Sequence, residues 1–465
     1  MPHFASIRRR ALLAAAPIAL FAGLAPNAMA QTAAIGESEV YDASLALLLG
    51  RPGPARAALS VLRERGKPDA AAGMIMALRY SALDKEEIAG VLTELTGAEP
   101  GVSWFDWMLW QQANPKIEPH ASFPRLKQAL LQRIDPAFDR FVQADSEMDI
   151  RIEEITWGGV AVDGIPALTN PDLIAASEAD YIVPEEPVFG IEINGDARAY
   201  PLRFMDWHEM LNDVIGGVPV SLAYCTLCGA GILFDTTVEG RGQPFTFGSS
   251  GLLYRSNKLM YDRQTDSLWN QFTGKPVSGA LRGSGIELSV LPVAISRWDD
   301  WLRRHPDTRV LAFETGYQRD YRPGRPYGAY FSSPELMFPA ELADGRLREK
   351  DIVFGLRTAG GAKAWPLTAF DGGRVINDAV GFKEVVLVGD TASRTVRAYQ
   401  RDGADFAAGA DADHLRAGGE DWAITEEALI GPDGARLPRM PGHLAFWFAW
   451  AGYLGSEAAY FEGQN

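Results

Sequence analysis

Two stretches of this chain are one stretch written twice. At an offset of 165 positions, Phe189–Leu222 lies on Phe354–Leu387 without a gap, and thirteen of the 34 paired positions are identical. Phe189-Gly190 meets Phe354-Gly355, and Ala197-Arg198-Ala199-Tyr200-Pro201-Leu202 meets Ala362-Lys363-Ala364-Trp365-Pro366-Leu367. Asp206 meets Asp371, Asn212-Asp213 meets Asn377-Asp378, and Gly216 meets Gly381. A later block matches at an offset of 149, where Leu288, Pro292, Trp298 and Trp301 fall on Leu437, Pro441, Trp447 and Trp450. The change of offset puts a net sixteen-residue insertion in the first copy, covering much of Arg241 to Gln271. Duplication constrains the fold strongly: whatever unit one copy forms, the other forms too, and the two are expected to pack together.

The texture inside the copies is that of strands. Val188–Ile193, Val218–Tyr224 and Ile232–Phe234 alternate with Gly, Asn and Asp turns, as do Val310–Phe313, Asp351–Leu356, Glu384–Val388 and Thr395–Tyr399. A short helix is expected near Met205–Val214. Residues 31–150 differ, because Tyr41–Leu49, Ala55–Arg65, Ala70–Ser81 and Lys85–Leu95 carry apolar residues at helical spacing. Gly50-Arg51-Pro52-Gly53-Pro54 and Gly66-Lys67-Pro68-Asp69 punctuate them. Trp104, Trp107, Leu109 and Trp110 form an aromatic stripe whose ordinary use is core packing. The expected fold class is α+β: a helical domain over 31–150, an entry segment over 151–186, and two tandem β-rich units over 187–350 and 351–465.

The first thirty residues have the composition of a cleaved signal. Arg8, Arg9 and Arg10 precede the apolar run Ala11–Leu24, and Ala28-Met29-Ala30 supplies a small-x-small cleavage pattern that sets the mature start at Gln31. Arg9-Arg10-Ala11-Leu12-Leu13 resembles a twin-arginine signal, with Arg8 where that motif prefers Ser or Thr. The expected location is the periplasm or the exterior. Losing three arginines and no acids takes the formal charge from −16 to −19, which argues against nucleic acid and anionic lipid as partners. Phe446-Trp447-Phe448-Ala449-Trp450 is too short to span a bilayer, so no stable membrane insertion is expected.

A repeat separates folding from chemistry, since residues needed for the shared fold recur and residues needed for a reaction need occur once. Asn212-Asp213-x-x-Gly216 recurs and reads as turn or capping chemistry. By contrast Trp207-His208-Glu209 meets Gly372-Gly373-Arg374, and Cys225-Thr226-Leu227-Cys228 meets Asp390-Thr391-Ala392-Ser393. The chemistry is therefore expected in the first copy. Cys225 and Cys228 are the only cysteines, and a bond between them would close a tiny loop and stabilise little. Val218–Tyr224 leads into the pair and Gly229-Ala230-Gly231 leads out toward Ile232-Leu233-Phe234, which makes strand, tight turn, strand. That setting fits a metal knuckle better than the helix-opening pair of a thioredoxin-like site.

Two thiolates need further ligands, and His208 is the first choice, giving a Cys2His site for zinc, copper or iron. Glu209 and Asp213 are the carboxylates expected to act as acid/base or in a supporting shell. Met205, Met210 and Met260 are possible thioethers whose ordinary role is packing. His443, with Ala294 opposite it in the first copy, is a further ligand if it reaches across the interface between copies. His305 before Pro306 is expected to end a helix, and His120 and His414 to lie in solvent. Ser250 in Gly248-Ser249-Ser250-Gly251 misses the nucleophile-elbow spacing by one residue. Met260-Tyr261-Asp262-Arg263 and Ser267-Leu268-Trp269 are expected to form a hairpin with an internal Asp–Arg pair. No nucleotide-cofactor motif is present.

Trp207-His208-Glu209-x-x-Asn212-Asp213 and Tyr224-Cys225-x-x-Cys228-Gly229 together resemble the domain of unknown function 3179 family. So do Phe247-Gly248-x-Ser250-Gly251-Leu252-Leu253 and Met260-Tyr261-Asp262-Arg263-x-Thr265-x-Ser267-Leu268-Trp269, the likeness running from about Pro187 to the C-terminus. That resemblance implies no activity. The residues themselves lead first to a periplasmic metalloprotein, an enzyme ahead of a carrier, built on Cys225, Cys228 and His208 with a small-molecule substrate. A thiol–disulfide oxidoreductase cycling Cys225 and Cys228 against a redox partner comes second. A metal-delivery or ligand-binding module that docks through its helical domain comes third.

Overall fold

The computed structural model describes residues 35–342, 344–454 and 458–461. The signal-like residues 1–30 and their cleavage site lie outside that range. Six helices come first: Glu37–Leu49, Pro52–Arg65, Ala71–Tyr80, Lys85–Thr96, Trp104–Ala113 and Phe123–Ile134. Glycines in the left-handed region, Gly66 and Gly97, end the second and fourth. Their apolar faces share one core around Leu47, Leu62, Ile75, Leu92 and Trp107. The helices are tied to the β-rich region by buried polar bonds. Gln111 donates to the Glu153 carbonyl, Lys127 to the Ile155 carbonyl, and Gln112 to the Pro339 carbonyl.

The β-rich region repeats in three dimensions. In copy one, Ala294–Arg297, Pro187–Ile193, Asp196–Pro201 and Arg309–Leu311 lie side by side in that order, and Leu173–Ala175 extends the edge. In copy two the order is His443–Phe446, Ile352–Thr358, Gly361–Pro366 and Ala458–Tyr460. The second sheets also correspond. Met210–Ile215, Val218–Cys225, Ala230–Asp235 and Val290–Leu291 are neighbours in copy one, as Arg374–Val380, Lys383–Asp390, Thr395–Gln400 and Arg436–Met440 are in copy two.

The matching residues make matching contacts. Gly190 presses its backbone on Trp301 and Gly355 on Trp450, where an added Cβ would sit 2.3 Å and 2.0 Å from the ring. Trp298 N donates to the Glu186 carbonyl and Trp447 N to the Asp351 carbonyl, both at 2.8 Å. Asn212 clamps the backbone N–H and C=O of Phe247, and Asn377 clamps those of Phe406. That clamp equates Phe247 with Phe406, an offset of 159. Six of the sixteen extra residues therefore precede Phe247 and ten follow it. The residues after the clamp form a separate sheet in copy one, of Phe247–Tyr254, Asn257–Asp262, Leu268–Asn270 and Lys275–Pro276, with Ile155–Trp157 at its edge.

Four expectations change. The helix near Met205–Val214 spans Leu202–His208 and stops at Glu209, whose φ of 54° reverses the chain, and Met210–Ile215 is a strand. Asp262 and Arg263 do not pair with each other. Asp262 accepts from Thr265 and Trp269, and Arg263 binds Asp163. The entry segment is built into the sheets, since Ile155–Trp157, Leu168–Thr169 and Leu173–Ala175 are edge strands of three of them. His120 is 3% exposed, not solvated, because its ring packs against Phe123 and bonds Ser122.

Candidate functional site

The strand Val218–Cys225 runs into one turn of 3-10 helix, Thr226–Cys228, and Gly229 at φ 59° turns the chain into Ala230–Asp235. This is the strand, turn, strand expected from the sequence. The turn folds Cys225 and Cys228 onto each other, and they are joined as a disulfide. Gly229 is required twice, for its positive φ and because the Phe446 ring of copy two lies 3.2 Å from where a Cβ would be. Cys228 is fully buried and Cys225 retains 2% exposure.

A polar network present only in copy one surrounds the turn. Glu209 is a non-glycine residue in the left-handed region, a conformation that costs energy and persists where neighbours enforce it. Here the Glu209 N–H donates to the Met205 carbonyl and the Glu209 carbonyl accepts from Tyr224 N. Its side chain is thereby aimed at the turn, where it accepts from Thr226 Oγ1 at 3.0 Å and from Lys258 Nζ at 2.8 Å. Lys258 is 3% exposed, and burial pulls its pKa below the ordinary lysine value against the opposing pull of Glu209. Lys258 comes from the inserted hairpin. The two-residue turn of that hairpin, Arg255-Ser256, brings the Ser256 carbonyl to 3.8 Å from Cys228 Sγ. From a third direction Tyr330 donates to the Leu227 carbonyl, and Tyr327 interacts with both Thr226 and Glu209.

His208 does not join the sulfurs. It is fully buried, with Nδ1 2.8 Å from the Pro166 carbonyl and Nε2 2.7 Å from the Tyr321 hydroxyl. A carbonyl only accepts, so Nδ1 carries the proton and Nε2 accepts from Tyr321, whose oxygen lies 2.6 Å from Thr315 Oγ1. Burial lowers the His208 pKa to about 4, which keeps the ring neutral. With both ring nitrogens committed and both sulfurs bonded to each other, the expected Cys2His centre is not assembled. Among the described residues no group of three or more His, Cys, Asp and Glu side chains could hold a metal ion.

Asp213 belongs to the shared fold. It accepts from Tyr200 at 2.6 Å, pairs with Arg198 at 2.7 Å and caps Val214 N. Asp378 does the same with Trp365, Lys363 and Ala379 N. The side-chain oxygens satisfy backbone N–H groups as expected, but within a strand and not in a turn. His443 packs on Phe272 and Trp450, not on the disulfide, and burial lowers its pKa to about 4. Met205, Met210 and Met260 are core residues. Ser250 is buried and bonds the Leu259 carbonyl and Leu252 N. His305 caps the helix Trp298–Arg304 against Trp301.

Asp206, Tyr224 and Lys258 belong to the site and were missed. Asp206 is 9% exposed, touches the Tyr224 hydroxyl, and is pushed up to about 7 by burial, with Tyr224 opposing and Glu209 adding to the shift. Tyr224 and Lys258 could have been found, since Tyr224 meets Gly389 and Lys258 lies in the insertion. Asp206 could not, because Asp371 stands opposite it.

A family model described as a protein of unknown function, DUF3179, matches residues 162–457, and the chain belongs to that family. No curated protein and no solved structure matches the chain.

Proposed function

We propose that this member of the DUF3179 family is an exported thiol–disulfide redox enzyme whose working group is the Cys225–Cys228 pair. The observation that carries the reading is the twin turn. In copy two, Asp390 and Ser393 occupy the cysteine positions, and Ser393 N donates to Asp390 Oδ2 at 3.0 Å while Ser393 Oγ donates to the Asp390 carbonyl. Hydrogen bonds close the same hairpin there, so the fold does not call for a disulfide at this turn. A two-residue spacer also makes the loop too short for the bond to add much stability.

The chemistry follows from thiol exchange. A partner thiolate attacks Cys225, the less deeply buried of the two residues, and the Cys225–Cys228 bond breaks with Cys228 leaving as thiolate. The partner's second thiol then displaces Cys225. The partner ends as a disulfide, and its two electrons and two protons end on the two cysteines. Lys258, held at the turn through Glu209 and Thr226, supplies a nearby cation that favours the departing thiolate. Export is supported by Arg8–Arg10, the apolar run and Ala28-Met29-Ala30, and an oxidising compartment suits a resting disulfide.

The test is turnover of a dithiol peptide by the purified mature protein, followed as peptide disulfide formed. Catalysis lost in Cys225→Ser supports the reading. A reduced protein that binds one zinc per chain and exchanges no disulfide contradicts it and favours the metal centre.

A further inference from the structure

A cavity of about 690 Å³ lies against the disulfide hairpin, between the two copies. Tyr224 and Gly229, the residues flanking the two cysteines, form part of its wall, together with Asp206. Copy two contributes Arg394, Leu444 and Phe446. The volume suits a ligand of drug size, and the apolar wall can bury its side chains.

The charged groups lining this cavity are met by partners within the protein, with two exceptions. Arg203 pairs with Glu186 at 2.7 Å, Arg348 with Asp351 at 2.8 Å, and Glu185 with Arg297 at 3.7 Å. Lys350 donates to the carbonyls of Tyr330 and Ser333. The exceptions are of opposite sign. Asp206 has a buried Oδ1 with no hydrogen-bond partner, and a buried unpaired carboxyl oxygen is costly unless something meets it. Arg394 is exposed at the rim and has no ion-pair partner among the described residues. It is the twin of Gly229 and shares its left-handed turn conformation. An acceptor without a donor on one wall and a guanidinium without an anion on the other match a zwitterion.

Resting on the redox reading above, we propose that this cavity is the substrate subsite of the disulfide and takes short peptide thiols with free termini, the ammonium on Asp206 and the carboxylate on Arg394. Two peptide thiols give up two electrons and two protons to the Cys225–Cys228 pair and leave as one peptide disulfide.

Binding is measured by calorimetry on the Cys225→Ser/Cys228→Ser protein with Gly-(S-methyl)Cys-Gly, which cannot exchange. N-acetylation and C-amidation of the peptide should each weaken binding about tenfold. Asp206→Asn should abolish the penalty for acetylation alone, and Arg394→Gln the penalty for amidation alone. Equal binding of the three peptides, or no binding of any, overturns the subsite while leaving the redox reading to its own turnover assay. End-group discrimination in a protein that exchanges no thiols overturns the redox reading and keeps the cavity as a peptide site. The peptide comparison on the Cys225→Ser/Cys228→Ser protein needs no folded Asp206 variant, since the peptide end groups alone decide it.

Discussion

The hairpins Val218–Asp235 and Lys383–Gln400 are the same piece of backbone used for different ends. Both end their first strand in a tight turn with a left-handed residue at its close, Gly229 in one and Arg394 in the other. Both sit beside a helix or 3-10 turn that follows a Pro-Leu step. Copy two closes its turn with hydrogen bonds from Ser393 to Asp390 and leaves the surroundings partly open. Copy one closes it with two sulfurs and buries around them a carboxylate, an ammonium, two tyrosines and a strained Glu209. Buried charge and backbone strain are expensive. At this turn copy one pairs the strained Glu209 with the buried Lys258, whereas Arg374 stands opposite Glu209 in copy two, and that difference marks a site selected for something other than folding.

The comparison can be broken first where the copies agree. Trp301→Ala and Trp450→Ala remove the rings on which Gly190 and Gly355 rest, and each should cost about 3–5 kcal/mol in denaturant unfolding. Unequal costs would show that the twin contacts are not energetic twins. Asp213→Ala leaves Arg198 short of a buried partner and should cost about 3 kcal/mol. Asp378→Ala should cost less, about 1 kcal/mol, because the Lys363–Asp378 pair is more exposed. Neither aspartate variant should alter thiol exchange. The Cys225→Ser/Cys228→Ser protein should lose at most about 2 kcal/mol, the limit set by closing so short a loop.

The effects on pH dependence oppose each other. Asp206 is raised from 3.8 to about 7 in the folded state. Across that window the unfolded chain releases this proton and the folded one keeps it, so the group's contribution to stability falls as pH rises. His208 is lowered from 6.5 to about 4, so the unfolded chain binds the extra proton and stability rises with pH between those values. Asp206→Asn should therefore make stability climb more steeply with pH, and His208→Gln should make it climb less, in thermal melts at pH 4.5, 5.5 and 6.5, roughly the span of both windows.

Much of this was legible in the sequence because duplication is a sequence property. The strands, the turn at the cysteines and the copy that carries that turn all follow from reading the chain against itself. Glu209 was found because Arg374 stands opposite it. Proximity across the insertion was not legible. The offset changes between Leu222 and Leu288, so nothing in the sequence shows that Lys258 folds back onto Glu209. His208 misled for a related reason: a residue unique to one copy can be unique for packing. Its ring is held by Pro166 and by Tyr321, both from outside the aligned segments. Asp213 was drawn in by nearness in sequence, although its recurrence as Asp378 already placed it with the fold.

The central claim is that the Cys225–Cys228 bond works by opening and closing, and its reduction potential in the native protein tests this most directly. Equilibration in graded thiol–disulfide buffers, read by alkylation and mass, should give a reversible two-electron couple above roughly −300 mV, with the circular dichroism spectrum unchanged on reduction. A potential below that value, or a chain that loses its fold when the bond opens, would make the pair a structural staple and contradict the account.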